Sequence, residues 1–421
     1  MPDRFPPACG WLLALGTVTL LATGCGQRES PAAAGLRSGT LLLGNGAEPA
    51  DLDPAVVTAY TEHNILMALF EGLTALDETT SRPVPAAAER WNVSSDRLTW
   101  TFHLRPGQHW SNGDPLTAGD FVTAWRRLLT PAFGAENASY LFPILNAGPY
   151  NRGDIADPVA LGISAPDDHT LIVRLKRPTP YFAMVTAQPS TFPVNPRVLA
   201  RHDALAHRGT SWTRPGNLVG NGPFVLRAWV ANARIVVGRN PRYRAAESVR
   251  LNEIVFLPTE SPEADERNFR AGQVHATFTL PVTKVTAWQE NDPGRLRLDP
   301  FLQTIFLRFN TTRPPFDDVR MRRALALAID REAISRHVLQ GSRAAAFALT
   351  PPGTGGYTAR ARVGMDFAAA RSLLAKARAW SLSAGAGLRR YAGLRRYPPM
   401  RPGAGLRRYR GCAGRAAGPV S

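Results

Sequence analysis

Residues 110–121 read WSNGDPLTAGDF, and this stretch determines more of the local structure than any other part of the chain. Asn112-Gly113 is a dipeptide preferred in tight turns, because both residues tolerate a positive φ angle. Thr117 and Asp120 belong to the residue types that cap the N-terminus of a helix. The stretch therefore predicts a turn that is followed directly by a helix beginning at Asp120.

Apolar residues on both sides of this stretch recur with the spacing of one strand and one helix. Residues 98–104, LTWTFHL, alternate apolar and polar side chains, as in a half-buried strand. The helix ends before Pro131, and its apolar face contains Trp125, which we interpret as a core residue. The other members of this apolar face are Phe121, Val122, Leu128 and Leu129. A strand, a turn and a helix thus follow one another over about 30 residues.

Short strands and helices alternate along the rest of the chain as well. Four apolar runs bounded by turn-forming residues predict strands at residues 40–43, 171–175, 235–237 and 254–257. Residues 64–70 have helical spacing. Residues 319–339 predict one continuous helix, because Asp317 and Asp318 favour its N-terminus and apolar residues recur up to Gly341. Together these patterns are typical of a mixed α/β fold.

The charge of the protein is concentrated at its C-terminal end. The chain has 421 residues and a formal net charge of +17, which by itself favours a nucleic-acid partner. Residues 381–421 contain nine arginines and no Asp or Glu, so this tail accounts for nine of the 17 net positive charges. Hydrophobic residues make up 44% of the chain, which excludes wholesale disorder. We predict a folded body with no nucleic-acid partner.

The N-terminus has the composition of an export signal. Arg4 precedes a charge-free stretch whose apolar core, residues 11–24, is shorter than the ~20 residues of a membrane-spanning helix. Small residues then lead into Cys25, which resembles a bacterial lipobox, where this cysteine is acylated. We predict a lipoprotein signal peptide at 1–24, lipid attachment at Cys25 and a flexible tether over 25–39. The alternatives are a buried N-terminal helix or a signal peptide cut elsewhere.

The sequence contains no signature of a common enzyme or cofactor site. The motifs GxxxxGK[ST], HExxH and GxSxG are missing, as is GxGxxG after a strand. No cysteine occurs between Cys25 and Cys412, which excludes a disulfide framework and a cysteine-ligated zinc site there. Acids such as Asp167-Asp168 stand at turns, where capping explains them. We predict a protein that is not an enzyme, with no catalytic residue, metal or cofactor.

A series of short motifs follows in a fixed order along the chain. They are EPADLDP at 48–54, FEGL at 70–73, AERW at 88–91, FHLRPG at 102–107, WSNGDPLTAGDF at 110–121, PYF at 180–182, NGPF at 221–224, NPRY at 240–243, RAGQ at 270–273, PPFDDVR at 314–320 and AIDR at 328–331. Each motif is weak alone, but the ordered series is specific. It resembles family 5 of the extracellular solute-binding proteins, the oligopeptide- and dipeptide-binding receptors of bacterial ABC importers.

The resemblance implies an α/β fold of the type II periplasmic-binding-protein kind. In such a protein, two hinged lobes enclose a peptide whose backbone pairs with protein strands, and an extra domain is attached. On this basis lobe I comprises residues 40–70 and 196–302, the extra domain (lobe II) residues 71–195, and the first part of lobe III residues 303–380. The resemblance also implies an exported, lipid-anchored receptor, periplasmic or at the cell surface, that delivers oligopeptides or dipeptides to an ABC permease in the inner membrane.

Few ligand contacts can be transferred from the family. Thr58, Ala59 and Tyr60 match the segment in which relatives lay backbone beside the ligand, so these residues are predicted to bind ligand. Asn137 stands where peptide binders commonly have an aromatic residue, and it is the fourth candidate. Binders of a nickel chelate, haem or sugar share the fold, so another solute is the alternative. A nickel site would need convergent histidines or carboxylates, and the sequence shows no such cluster.

The resemblance ends after Trp380. The tail repeats GLRRY at 387–391, 393–397 and 405–409, with a spacing too short and irregular for a solenoid. We interpret residues 381–421 as an aberrant tail from a frameshift or a repetitive gene end, the alternative being a segment that binds single-stranded nucleic acid or anionic lipid. We therefore predict a C-terminally truncated or frameshifted chain with an incomplete third lobe, and a non-functional truncated relative is a further alternative.

Overall fold

The computed structural model describes residues 29–299, 302–354 and 357–383. The chain divides into two compact units, the first ending at Pro281 and the second beginning at Val282. The predicted signal peptide at 1–24, Cys25 and the tail beyond residue 383 lie outside the described residues. Within those residues, no helix is both long enough and apolar enough to cross a membrane.

The described residues form eleven strands and eleven α-helices. The strands are β1 (Thr40–Gly44), β2 (Thr74–Leu76), β3 (Pro83–Pro85), β4 (Ala88–Val93), β5 (Thr99–Leu104), β6 (Ile163–Asp167), β7 (Thr170–Arg174), β8 (Phe224–Val230), β9 (Arg234–Arg239), β10 (Glu253–Leu257) and β11 (Ala276–Thr277). The helices are α1 (Pro31–Ser38), α2 (Tyr60–Leu69), α3 (Ala118–Leu129), α4 (Ala147–Arg152), α5 (Phe182–Val185), α6 (Pro196–Arg201), α7 (Pro262–Arg270), α8 (Val285–Asn291), α9 (Val319–Ala328), α10 (Arg331–Ala333) and α11 (Phe367–Ser383).

Several helical turns supplement these elements. A π-helical turn, Ile334–Val338, follows α10 directly. The 3-10 turns of the described residues are Pro131–Phe133, Glu136–Leu141, Pro158–Ala160, Pro189–Thr191, Ser211–Thr213, Ala246–Ser248, Val282–Lys284 and Pro293–Arg295. Four of the eight begin with proline, which lacks the N–H that a helix leaves unpaired at its first position.

A five-stranded mixed sheet with the strand order β11-β1-β10-β9-β8 lies in the first unit. β1 is parallel to both of its neighbours, with Leu42 opposite Val255 of β10 and Leu43 opposite Ala276 of β11. β9 is antiparallel to both of its neighbours, β8 and β10. The strands predicted at 40–43, 235–237 and 254–257 are confirmed. Because parallel strands point the same way, the carboxyl ends of β1, β10 and β11 lie at one edge of the sheet.

A second, antiparallel sheet has the order β4-β5-β7-β6. Its strands come after β1 and before β8 in the sequence. β2 and β3 form a separate two-stranded sheet. Trp100, Phe102 and Leu104 of β5 point to the buried face of the four-stranded sheet. α3 contacts this sheet, and Trp125 of α3 is fully buried with its indole Nε1 donating to Thr191 O at 2.8 Å. The predicted strands 98–104 and 171–175 and the core position of Trp125 are confirmed. The division of the chain into lobes stays a prediction.

The stretch at 110–121 forms the predicted turn and helix, although the helix begins at Ala118, two residues before the predicted Asp120. Gly113 has a φ angle of +95°, and its N–H donates to Trp110 O at 2.8 Å. Thr117 is the N-cap of α3, and Asp120 Oδ2 accepts from Thr117 N at 3.0 Å and from Trp110 Nε1 at 2.9 Å. One carboxylate therefore joins the turn to the helix.

A helix replaces part of the predicted tether. Residues 25–39 were expected to be flexible, but α1 occupies Pro31–Ser38, so this expectation is wrong for that part. Ser30 accepts from Ala33 N as the N-cap, and Pro31 fits the first helical position. His275 Nε2 lies 2.8 Å from Ala32 O, and Ala32 N donates to Gly272 O at 2.9 Å. These contacts hold α1 against residues 272–275, at the start of β11.

The predicted helix over 319–339 is interrupted in the second unit. α9 ends at Ala328, and Ile329 is extended with φ −87° and ψ 118°. Asp330 Oδ1 then accepts from Ala333 N at 2.8 Å and begins the new helix α10. The prediction of one continuous helix is therefore wrong. The Asp330 side chain accepts a hydrogen bond from the backbone N–H of Ala333 and so caps a new helix after the extended residue Ile329. α9 packs against α11.

Candidate functional site

The edge where β1, β10 and β11 end is the candidate site, because ligands of open α/β sheets bind outside the carboxyl ends of the strands. Asn45 follows β1 and is buried. Its Nδ2 donates to Thr61 O at 2.9 Å, and its Oδ1 accepts from Asn64 Nδ2 at 2.9 Å. Asn45 thereby places the start of α2 at this edge.

The loop that connects β1 to α2 is fixed at both ends by one buried carboxylate. Glu62 Oε1 accepts from Ala50 N at 3.0 Å, and Glu62 Oε2 accepts from Ala59 N at 2.9 Å. Ala59 is the N-cap of α2 and cannot cap through its own side chain, so Glu62 supplies the acceptor. The backbone of the predicted segment Thr58-Ala59-Tyr60 is thereby held in place.

The middle of the same loop is anchored by a buried ion pair. Arg127 of α3 donates from Nη1 to Asp53 Oδ1 at 2.8 Å and from Nη2 to Asp53 Oδ2 at 2.5 Å. Its Nε donates to Ala204 O at 2.8 Å, and its guanidinium lies 4.1 Å from the ring centre of Phe133. Both partners are almost fully buried. The pair therefore connects the candidate site to the helix of the antiparallel sheet.

Three ring side chains form an aromatic cluster at this edge: Tyr60, His63 and Phe278. Tyr60 stacks on His63 with ring centres 5.9 Å apart, and Phe278 meets Tyr60 edge to face at 6.0 Å. Tyr60 is 53% exposed and Phe278 50%, so large apolar surfaces face solvent beside the backbone of residues 58–60. Such rings offer area for apolar groups of a ligand.

The aromatic cluster is uncharged near neutral pH. Burial disfavours the imidazolium form and lowers the pKa of His63 below its ordinary value. The ring that stacks under Tyr60 is therefore a neutral imidazole at pH 7. This part of the site favours uncharged or apolar groups.

Asn137 lies next to the predicted segment. Its Nδ2 donates to Val57 O at 3.1 Å and to Ser190 Oγ at 3.0 Å, and Val57 directly precedes Thr58. The structure thus brings all four predicted residues of the first unit, Thr58, Ala59, Tyr60 and Asn137, into one neighbourhood. Their role in binding stays a prediction.

The sequence analysis missed Phe278 and its support. Phe278 follows β11, which is only two residues long. Asp265 of α7 is fully buried, and Thr279 donates its hydroxyl to Asp265 Oδ2, which holds the backbone next to Phe278. Residues 274–279, VHATFT, alternate apolar and polar side chains, and this period of two was the signal that could have identified the strand.

No group of three or more His, Cys, Asp or Glu residues in the described ranges is arranged to hold a metal ion. The charged residues of the site are instead paired, as Asp53 with Arg127 and Glu62 with backbone N–H groups. The geometry is that of a binding surface with an exposed segment at residues 58–60 and exposed rings beside it.

Sequence comparisons identify the family of the chain. The family described as bacterial extracellular solute-binding proteins, family 5 middle, matches residues 82–389. The periplasmic oligopeptide-binding protein OppA of Salmonella typhimurium is 36% identical over 357 residues, which cover 82% of this chain and 63% of that protein. The probable deoxycholate-binding periplasmic protein YgiS of Escherichia coli is 41% identical over 317 residues, which cover 75% of this chain and 57% of that protein. The chain thus spans about three fifths of the length of these curated relatives.

Solved structures agree with the sequence comparisons. The murein tripeptide binding protein MppA of Escherichia coli superimposes with a TM-score of 0.74 at 34% identity, covering 83% of this chain and 67% of that one. Haemophilus influenzae OppA in complex with the peptide RPPGFSPFR gives a TM-score of 0.69 at 32% identity, covering 83% and 67%. The predicted α/β fold of the type II periplasmic-binding-protein kind is therefore confirmed. The chain belongs to family 5 of the bacterial extracellular solute-binding proteins.

Proposed function

We propose that this chain is the binding component of an ABC importer that captures oligopeptides or dipeptides and delivers them to a membrane permease. The observation that carries the proposal is the solvent-exposed segment of residues 58–60, fixed at the carboxyl ends of the parallel strands β1, β10 and β11 by Glu62 and Asp53. An extended peptide can lie along such a segment and pair with main-chain groups that have no partner within the protein. The 36% identity to an oligopeptide-binding protein supports the same ligand class.

The aromatic cluster supports a ligand with apolar side chains. Tyr60 and Phe278 each expose half of their surface, while His63 below them is neutral. A peptide backbone beside residues 58–60 would place some of its side chains against these rings. We propose Thr58, Ala59 and Tyr60 as backbone and ring contacts. Asn137 acts by holding Val57 O and the loop that carries them.

Peptide binding is tested by calorimetry and by thermal melting of the full chain. The probe is the nonapeptide RPPGFSPFR, which Haemophilus influenzae OppA binds in its solved complex. A peptide at 100 times its Kd stabilises the folded state by about 2.7 kcal/mol, so the Tm should rise measurably. Tyr60→Ala should weaken binding about tenfold, while Tyr181→Ala, with the same 53% exposure but outside the aromatic cluster, should not.

The outcomes separate cleanly. Saturable binding that Tyr60→Ala weakens supports the proposal. A chain that melts cooperatively but shows no heat and no Tm shift with RPPGFSPFR or with a dipeptide mixture rejects peptide capture. Equal losses for Tyr60→Ala and Tyr181→Ala would reject the assignment of the site to the edge of the five-stranded sheet.

A second candidate ligand is an apolar solute of the bile-acid type. The observation in its favour is the 41% identity to a probable deoxycholate-binding protein, together with the exposed rings of Tyr60 and Phe278. Deoxycholate, a nickel chelate, haem and a sugar serve as parallel probes in the same melting experiment. A Tm shift with one of these and none with peptides would assign the chain to that solute.

We further propose that the protein is exported and attached to a membrane through a lipid at Cys25. The apolar stretch at 11–24 and the small residues before Cys25 support this assignment. Cells that express the chain and take up labelled palmitate should label the native protein and the Cys9→Ser variant. The Cys25→Ser variant should carry no label and should leave the membrane fraction. Label on Cys25→Ser would reject the lipid attachment.

A further inference from the structure

His275 connects α1 to β1 through both nitrogens of its ring. Nδ1 accepts from Leu42 N of β1 at 2.9 Å, and Nε2 lies 2.8 Å from Ala32 O of α1. His275 N also donates to Leu42 O at 2.9 Å, so the main chain and the ring of His275 together pair with both polar backbone groups of Leu42. One side chain therefore links a helix and a strand that lie more than 230 residues away from it in sequence.

These two contacts specify which ring nitrogen carries the proton. A backbone N–H can only donate, so Nδ1 must present a lone pair to Leu42. A carbonyl oxygen can only accept, so Nε2 must carry the hydrogen that faces Ala32. The neutral imidazole with its proton on Nε2 satisfies both partners. A second proton, on Nδ1, would set two N–H groups against each other and leave Leu42 N without its acceptor.

The docking of α1 depends on this ring. Gly35 is the buried residue of α1, and an added Cβ atom there would lie 2.8 Å from His275 Cε1. The helix therefore rests on the imidazole at its most buried point. α1 has eight residues, and a helix of this length is marginal by itself in water. If α1 loses its contact with β1, it should also lose its helical hydrogen bonds.

The surroundings of His275 offer no ion pair to a protonated ring. β1 and β11 contain no charged residue, and Arg37 of α1 pairs with Glu29. α7 packs beside β11, and its charged residues are Glu263, Asp265, Glu266, Arg267 and Arg270. Among the described residues, none of these groups forms an ion pair with His275. A positive charge on the ring would therefore have no compensating partner in the docked arrangement.

We propose that His275 makes the docking of α1 sensitive to acid. Histidine ordinarily changes its charge between about pH 5 and 8. When the ring takes up a second proton, the hydrogen bond from Leu42 N is lost, and α1 separates from β1 and unfolds locally. α1 lies between the sheet and the segment that contains Cys25, so its release lengthens that connection. The device depends on neither the proposed ligand nor the proposed lipid.

Hydrogen exchange in the full-length protein between about pH 7.5 and 4.5 tests this proposal. Each rate is divided by the intrinsic rate at the same pH, which gives the protection of the helical amides of α1. We expect this protection to fall at least about tenfold toward the acid end, while that of β5, in the other sheet, is retained. Retained protection of α1 at the acid end overturns the proposal.

Two histidine variants show whether His275 is the cause. His275→Gln has an amide that can donate to Ala32 O but cannot take up a proton, so the protection of α1 should no longer depend on pH. His169→Gln changes an exposed histidine in the turn between β6 and β7 and should respond as wild type does. The melting temperatures of both variants show whether they fold. An equal loss of protection in wild type and folded His275→Gln contradicts the proposal.

The ring itself provides a measurement that needs no folded variant. In protein labelled with ¹⁵N-histidine, the imidazole signals distinguish the two neutral tautomers and the imidazolium. His275 is one of eight histidines, and the absence of its signal in His275→Gln, or its coupling to Ala32 and Leu42 in wild type, identifies it. We expect a proton on Nε2 near pH 7.5 and a titration with the same midpoint as the loss of α1 protection. A proton on Nδ1, or a ring that titrates while α1 stays protected, overturns the proposal.

Discussion

At the scale of single residues, the buried pair of Asp53 and Arg127 makes the strongest prediction. Both oxygens of Asp53 and all three guanidinium nitrogens of Arg127 have partners. Removal of one partner leaves an uncompensated buried charge, which costs about 3–5 kcal/mol. We expect Asp53→Asn to lower the free energy of unfolding by this amount in urea denaturation.

The matched control is the exposed pair of Arg152 and Asp154, whose side chains are more than half exposed. Exposed pairs contribute about 0–1 kcal/mol, because water solvates both charges. Asp154→Asn should therefore change the free energy of unfolding by less than about 1 kcal/mol. If both variants lost the same stability, burial of the first pair would not be the cause.

The neutral imidazole of His63 predicts a pH dependence. Burial lowers its pKa in the folded protein, whereas the unfolded chain has an ordinary value near 6.5. At pH values between the two, the unfolded chain binds more protons, so the stability contributed by His63 is present above about pH 6.5 and is lost as pH falls through the lowered pKa. His63→Phe keeps a stacked ring and removes the titration.

Urea denaturation at several pH values between 4.5 and 7.5 measures this effect. Wild type should lose free energy of unfolding relative to His63→Phe as the pH falls from 7. The other titrating groups are common to both proteins and cancel in the difference. A difference that stays constant over this range would mean that His63 is not desolvated.

At the scale of elements, the docking of α1 depends on a glycine. A Cβ atom on Gly35 would lie 2.7 Å from Thr40 O and 2.8 Å from His275 Cε1, closer than such atoms approach. Gly35→Ala should therefore push α1 away from β1, although alanine favours a helix by itself. We expect faster tryptic cleavage after Arg37 and faster amide exchange in α1.

Gly119 in the first turn of α3 provides the control. A Cβ atom there meets only Thr117 Oγ1, at an ordinary 3.4 Å. Gly119→Ala should leave stability unchanged or raise it by up to about 1 kcal/mol, because alanine has the higher helix propensity. Slow cleavage after Arg37 in Gly35→Ala would show that α1 tolerates the methyl group and is not closely packed.

Elements with local signals were predictable, and those that depend on distant contacts were not. The caps and the apolar face of α3 lie within 20 residues of each other, so the sequence alone defines the helix. The Ala-, Gly- and Ser-rich composition of α1 indicates a tether, whereas its support comes from His275, 243 residues away from Ala32. At Asp330, the hydrogen bond from Ala333 N to the side chain caps a new helix, although the apolar periodicity of the sequence continues through this position.

The candidate site shows the same division. Residues 58–60 and Asn137 were predicted through the resemblance to a family, and they are neighbours through Val57. Phe278 was missed because β11 has only two residues, and the short alternation at 274–279 is a weak signal without its pairing to β1. The sequence cannot predict that the indole N–H of Trp100 has no hydrogen-bond partner among the described residues, because the alternation in β5 indicates only that the residue is buried.

At the scale of the whole molecule, residues 302–307 predict self-association. Leu302, Ile305, Phe306 and Leu307 are all more than half exposed in a segment of the second unit that has no regular secondary structure. Contiguous exposed apolar side chains promote association between copies. We expect light scattering to rise with protein concentration and to fall in the double variant Ile305→Lys, Leu307→Lys.

Val159→Lys is the control for this experiment. Val159 is 73% exposed but lies on the first unit in a short 3-10 turn, away from that segment in sequence. The added charge alone should then have little effect on scattering. Equal suppression by Val159→Lys would mean that net charge, and not the apolar segment, controls association.

The strand order of the five-stranded sheet also determines when during synthesis its strands can pair. β1 is the first strand to be synthesised, yet its partners begin at Glu253 and Ala276. At about 5–20 residues per second, roughly 10–40 s pass between the synthesis of β1 and that of β10. During this interval β1 has no native neighbour in the sheet, so the nascent chain stays open long enough for a holding chaperone or a translocation channel to take it up unfolded.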